Sequence, residues 1–365
     1  MSFRPGKMGV AEGATLAFVA GLTPLFLSIW SIVIERSATG GWLTPLITGP
    51  SIIILLFVLY YVMQRVPGDL YDVCVQVLGK ILGRLIILYL IVTFYCNTIL
   101  QLRQYAENTL ITALPAVDIT VVLGWFSFIA AVSVYIGIES LARAVKIILT
   151  LGMAGLILVL AALYDRFDIY NVMPWFGSGI PVLKIGVGTT GVFLGTFILP
   201  ILAPSFQNLK TLKTATLLGV GLGIAARSIV LFVYTGIFSV AVGKEKTLPY
   251  FELVRLVYVN RFIQRIESFF ILVWAFYGMT IIAFFLYMVV YLLGRLFDLP
   301  SIRPLIFPLA IIAIELAMFI PDATTTNELT LKLEGTIQTY GAFMIPLILL
   351  IATLLKGNRR LSHAA

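Results

Sequence analysis

The sequence predicts an all-α polytopic membrane protein of about ten transmembrane helices, folded as a single transmembrane domain over residues 1–365. Three observations predict it. The chain is 60% hydrophobic and only 12% charged, where an ordinary soluble domain is roughly a quarter charged, and its mean hydropathy is +1.05. Apolar runs of membrane-crossing length, about 20 residues, recur from one end of the chain to the other. Two of them, the first and the sixth, are interrupted by Gly and Pro near their midpoints.

The ten spans fall at 10–34, 42–63, 84–112, 119–137, 144–163, 182–203, 214–242, 267–293, 303–320 and 335–355. Short connectors with turn chemistry separate most of them, such as ERSATGG (35–41) and DLPSIRP (298–304). Two connectors are longer. QRVPGDLYDVCVQVLGKILG (64–83) alternates polar and apolar residues as an amphipathic surface helix does. GKEKTLPYFELVRLVYVNRFIQRIES (243–268) reads as one or two helices on the membrane surface or in a vestibule. The N-terminus shows no cleavable signal pattern, so the first span is expected to act as its own insertion signal.

Lys and Arg set the orientation. Arg4 and Lys7, Arg65, Lys80 and Arg84, Arg143 and Lys146, Lys210 and Lys213, Arg295 and Arg303, and Lys356, Arg359 and Arg360 fall on one side, which places both termini in the cytoplasm. The basic 243–268 connector, on the other side, is the exception. The net charge of +8 is spread over short loops rather than gathered on one face, so it reads as a topology signal and not as a nucleic-acid surface. Two cysteines, Cys74 and Cys96, and the single His363 supply neither a disulfide framework nor metal-ligand spacing. No metal, no cofactor and no enzymatic activity are expected.

The interrupted spans carry the functional reading. LAFVAGLTPLFLSIW (16–30) places Gly21, Thr23 and Pro24 mid-span, where Pro removes a backbone donor and Gly permits non-helical geometry. This is either a packed kink or a helix opened to hold a ligand. VLKIGVGTTGVFLGTFILPILAPS (182–205) is the counterpart five spans on, with Gly191, Gly195, Thr196 and Phe197 in its glycine-rich centre. Matching interruptions in spans one and six are the mark of two inverted repeats with a midplane site; the repeats fall at roughly 10–163 and 182–320, and the helices 303–320 and 335–355 close the bundle. A half-helix N-terminus suits a carboxylate and freed carbonyls suit an ammonium group, so a small zwitterion such as an amino acid fits both.

Other polar residues inside the spans point the same way. Thr98 and Gln101 in span three follow helical spacing and face protein or a cavity; either helix–helix hydrogen bonding or a binding site accounts for them. Trp274 and Tyr277 in span eight wall the site or pack the core. Arg103 and Glu107 are four apart and pair along one helix face. Arg227 is an intramembrane cation, for which Glu315 in span nine is a partner by charge and a candidate proton carrier.

Four stretches now bear a resemblance. YVNRFIQRIESFFILVWAFYGM (258–279), YIGIESLARAVKI (135–147), IYNVMPWFGSGIPVLKIG (169–186) and GGWLTPLITGP (40–50) resemble, in order and spacing, the GerAB-like spore germinant receptor B subunits of the amino acid–polyamine–organocation superfamily. Span one departs from the family pattern, reading Gly-Leu-Thr-Pro where Gly-x-Ala/Ser-Ile-Leu is expected. The resemblance implies a LeuT-like 5+5 inverted repeat with broken helices 1 and 6. It also implies residence in the spore inner membrane with a larger A subunit and a lipoprotein C subunit, and detection of a nutrient that triggers germination. Glu139 and Arg143 match the family's inner loop and are read as an i,i+4 brace; Arg265 and Glu267 match its span-eight entry and are read as part of an outer gate or partner surface. The rival reading is a proton- or sodium-coupled amino acid permease.

Overall fold

A computed structural model describes residues 8–22, 29–191, 198–258 and 266–356. The first span contributes α1 (Val10–Leu22) and α2 (Ile29–Ser37), and a 3-10 turn then leads into α3 (Leu43–Met63). The amphipathic connector folds as α4 (Leu70–Leu78), held by a reciprocal capping box between Asp69 and Asp72. Next come α5 (Lys80–Thr112), α6 (Ile119–Ile136) and α7 (Ile138–Ala162). Asp118 caps α6, and Gly137, at φ 119°, takes the positive-φ corner between α6 and α7 that a side chain would strain.

The rest of the chain is helical as well. The sixth span contributes α8 (Ile180–Gly188) and α9 (Ile198–Ile201). They are followed by α10 (Leu209–Gly243), α11 (Pro249–Arg255), α12 (Ile266–Leu296) and α13 (Arg303–Met318). The last span is built of α14 (Ala323–Lys332), one π-helical stretch (Leu333–Gln338) and α15 (Thr339–Lys356). Among the described residues seven helices are long and apolar enough to cross a membrane: 30–63, 80–112, 119–136, 138–162, 209–243, 267–296 and 323–356.

Two helices form the centre. Every residue of α12 from Ile281 to Leu292 is buried, as is every residue of α5 from Leu100 to Thr109. They pack on each other, with α6 and α7 against α12. By contrast α7 presents Leu151, Ile157 and Leu158 outward, as a lipid-facing helix does. α1 lies along α10 through small residues, the arrangement by which membrane helices approach closely: a Cβ on Gly219 would meet the Ala14 carbonyl.

The C-terminal half of α5 is fastened to the start of α14. Arg103 pairs with Glu107 at 2.8 Å, as their spacing predicts. Arg103 also donates to the Pro321 carbonyl at 3.1 Å, and Gln104 donates to Asn327 at 2.7 Å. Asp322 caps α14 through the Thr325 amide at 2.7 Å. The sequence places the tenth span at 335, yet its helix starts at 323. The segment ATTTNELTLK is too polar to register as a span, and the cap and the α5 contacts supply what hydropathy does not.

Candidate functional site

The site is assembled where the described ends of the two interrupted spans meet α10 and the last span. α1 ends at Leu22, and the carbonyl of Gly21 accepts from the Arg227 guanidinium at 3.2 Å. Arg227 belongs to the middle of α10 and is 4% exposed. Its guanidinium carbon also stands 4.9 Å from the ring of Trp30 in α2, a cation–π geometry. One side chain therefore touches both helices of span one. Gly223, one turn earlier on α10, comes close enough that a Cβ there would lie 4.0 Å from Gly21.

The sixth span is fastened by Thr339. α8 ends at Gly188. The Gly191 amide donates to Thr339 Oγ1 at 2.9 Å. That hydroxyl lies 2.8 Å from the Gly188 carbonyl and 3.0 Å from the Glu334 carbonyl, donating to one at a time. Gly191 is so close to the π-helical stretch that a Cβ would collide with the Glu334 carbonyl and the Thr339 amide. Thr48 of α3 adds a hydrogen bond to the Gly186 carbonyl at 2.6 Å. π-helical turns are uncommon and concentrate at functional sites, and this one faces the end of α8.

The same turn carries Glu334, 5% exposed, and Gln338, 2% exposed. Glu334 and Arg227 interact electrostatically, which joins the last span to α10 and through it to α1. Among the described residues Glu334 Oε2 and Gln338 Nε2 have no hydrogen-bond partner, and neither does Gln101 Oε1 on α5. Buried polar atoms without partners cost about 1–3 kcal/mol each, so they are characteristic of places that await a ligand or water.

Where α1 ends at Leu22, a cavity of about 290 Å³ lies between α1, α7, α11 and α12, walled almost wholly by carbon and partly by the outward-facing Leu151 and Leu158. Leu22, Leu156, Val159, Tyr250, Trp274 and Tyr277 are in its lining. Tyr277 stands at the junction: its hydroxyl donates to the Val19 carbonyl of α1, it is within electrostatic reach of Arg227, and its ring faces the cavity. The Trp274 ring lies tilted against Tyr105 of α5, centroids 5.0 Å apart, and Gly278 admits that Tyr105 ring where a Cβ would strike it.

A second polar cluster joins α4 to the end of α12. Arg295, near the end of α12, holds Asp69 at 3.1 Å and Asp72 at 2.6 Å. Tyr291 donates to Asp69 at 2.7 Å. Burial, and then the neighbouring Asp69 charge, push the Asp72 carboxyl above its ordinary range, against the pull of Arg295. The cluster pins α4 to α12.

Of the residues selected from sequence, Gly21 lies against Arg227, Trp274 and Tyr277 line the cavity, and Gly191 lies against Thr339 and Glu334 of the last span. Thr98 is buried on α5, with its hydroxyl donating to the Phe94 carbonyl of its own helix at 3.0 Å; Gln101 is buried with its carbonyl oxygen unpartnered. Thr23, Pro24, Gly195, Thr196, Phe197 and Arg265 lie outside the described residues. Glu139 and Arg143 form the expected i,i+4 pair at the surface, and Glu267 begins the described side chains of α12, half-buried. One expectation is corrected. Glu315 faces outward from α13, and among the described residues Glu334 is the carboxylate whose charge acts on Arg227. Glu334 was missed because it precedes the tenth apolar run by one residue. Its signal was the pairing of Glu and Gln four apart, Glu334 and Gln338, at the mouth of that run. Among the described residues no group of His, Cys, Asp and Glu is arranged to hold a metal.

Comparison with solved structures shows the fold. The chain superposes on the nucleobase–cation symporter Mhp1 in a closed conformation with bromovinylhydantoin bound, with a TM-score of 0.68 at 13% identity, over 90% of this chain and 76% of that one. A Na+-coupled sialic acid symporter matches with a TM-score of 0.67 at 14% identity, over 94% and 80%. MhsT in complex with L-phenylalanine matches with a TM-score of 0.66 at 14% identity, over 94% and 97%. The architecture is that of LeuT-like transporters. In sequence the chain is 27% identical to spore germination protein B2 of Bacillus subtilis over 66% of both chains. It is 26% identical to spore germination protein YndE of the same organism over 66% of this chain and 67% of that one. With spore germination protein KB, also from Bacillus subtilis, it shares 24% identity over 90% of this chain and 91% of the other. The family model described as spore germination protein matches residues 13–326, and the chain belongs to that family of multi-pass membrane proteins.

Proposed function

We propose that this chain is the nutrient-sensing membrane subunit of a spore germination receptor. It binds a small nutrient, an amino acid in this reading, at the midplane site between the interrupted spans. The observation that carries the proposal is the buried cluster in which Arg227, Glu334 and Thr339 tie the described ends of α1 and α8 to α10 and the last span. A ligand entering there contacts the elements that rearrange in a transporter-like fold. It shifts the balance of states by its difference in affinity for them. In this reading ten spans form two inverted repeats, both termini are cytoplasmic, and the chain resides in the spore inner membrane. A larger A subunit and a lipoprotein C subunit read its state through exposed surfaces, and no enzymatic step is involved.

The fold shared with ion-coupled symporters favours a second reading, an amino acid permease coupled to protons or sodium. Two measurements test the pair. Spores lacking this chain should lose their response to one nutrient class and regain it on complementation. Proteoliposomes carrying the purified chain should show no uptake of that nutrient against its gradient when a proton or sodium gradient is imposed. Ion-driven accumulation establishes the permease; an unaltered response in the deleted spores removes the sensor.

A further inference from the structure

The carbon-walled cavity is open on its lipid side. Leu151 and Leu158 of α7 and Phe269 of α12 are 52%, 69% and 52% exposed, and all three belong to its lining, so its mouth lies at the surface that meets hydrocarbon. Its inner wall is buried: Leu22, Leu156, Val159, Trp274 and Tyr277 are each at most 5% exposed. Along α7 the lining runs from Ile148 to Ala162, about 21 Å of helix at about 1.5 Å per residue. The hydrocarbon of one leaflet is about 15 Å deep, half of the bilayer core. We propose that this slot holds one acyl chain of a bilayer phospholipid, which enters between α7 and α12 and packs against Leu22, where α1 ends. The inference goes beyond the nutrient-sensing reading and does not rest on it.

The walls select the occupant. Among the described residues no charged side chain lines the slot, so neither end of a zwitterion meets a counter-charge there. Water settles in a cavity that offers it about two to four polar partners, which a carbon wall does not. A transmembrane helix of a partner is about 10 Å across with its side chains, too broad for a slot of this volume and length. An acyl chain leaves no polar group unsatisfied, and it supplies the contact atoms that the lining lacks on its open side. Two glycines stand at the seam between α7 and α12: a Cβ on Gly152 would lie 3.3 Å from Val273, and one on Gly155 3.9 Å from the Phe269 ring. The position has a consequence for the first span. Tyr277 lines the slot and donates to the Val19 carbonyl of α1. A chain seated beside Tyr277 and Leu22 therefore braces the end of α1 from the lipid side, and the composition of the bilayer bears on how easily that end moves.

The test is photolabelling of the purified full-length chain in nanodiscs of palmitoyl-oleoyl phosphatidylglycerol. The nanodiscs are doped with the same lipid carrying a diazirine midway along one acyl chain, and the labelled residues are read by mass spectrometry. Surrounding lipid labels the outward-facing Ile157 of α7, which is 61% exposed and outside the lining. Only a chain inside the slot reaches Leu22, Leu156 or Trp274, and these should be labelled at a yield comparable with that of Ile157. Gly155→Phe places a ring in the slot. It should lower labelling of Leu22 and Trp274 about tenfold and leave that of Ile157 unchanged, with the melting temperature reporting that the variant is folded. If it does not fold, Gly155→Leu repeats the arm with a smaller plug, and the wild-type pattern decides by itself. Label confined to outward-facing residues means surrounding lipid only and overturns the proposal. Undiminished labelling of Leu22 and Trp274 in the folded variant also overturns it. L-leucine at millimolar concentration should leave the pattern intact; loss of label from Leu22 would assign the slot to a soluble ligand and remove the lipid.

Discussion

Thr339 shows how much a single hydroxyl organises in this protein. It accepts from the Gly191 amide and donates to the Gly188 or the Glu334 carbonyl, so it joins the end of α8 to the π-helical turn of the last span. Thr339→Val keeps the shape and removes both interactions, and it should cost about 1–3 kcal/mol, visible as a lower melting temperature and a weaker nutrient response. Arg143 is the opposite case. Its pair with Glu139 lies at the surface, and Arg143→Ala should change stability by less than about 0.5 kcal/mol. At this scale the sequence exposed Arg227 as costly but misassigned its partner. Glu315 was the nearer carboxylate by span hydropathy, whereas Glu334 sits just before the last apolar run and only the π-helical turn carries it inward. Helical periodicity does not foresee a turn of five-residue spacing.

Among the elements, α1 and α10 depend on close approach. Gly219→Leu would drive side-chain atoms into the Ala14 carbonyl region, and overpacking of this kind costs about 1–3 kcal/mol; reduced yield of folded protein in detergent is the expected readout. Most spans were legible because about 20 apolar residues leave few alternatives in a bilayer. The amphipathic α4 was legible from its alternation, and α11 from the polar-apolar rhythm of 249–255. The start of α14 was not. Its stability comes from the Asp322 cap and from Arg103 and Gln104 on α5, long-range partners that no local pattern encodes.

Across the whole molecule there are two polar clusters: the interior one at the described ends of spans one and six, and the one that pins α4 to α12. Arg295→Ala would leave the fully buried Asp69 without its partly exposed cation, a loss of about 1–3 kcal/mol. Because that pair also fastens α4 to α12, the variant should label faster at cysteines placed on α4. The Gly and Pro residues of spans one and six were readable from the sequence itself. The role of the last span was not, since it depends on folding that brings residue 334 to residue 227. The most direct test of the interior site is protection of a cysteine placed there. In a chain with Cys74→Ala and Cys96→Ala, Gln338→Cys would be labelled by a small membrane-permeant thiol reagent, with and without the nutrient that germinates the spores. The account predicts slower labelling in proportion to nutrient occupancy. An unchanged labelling rate at nutrient concentrations that saturate germination would contradict it.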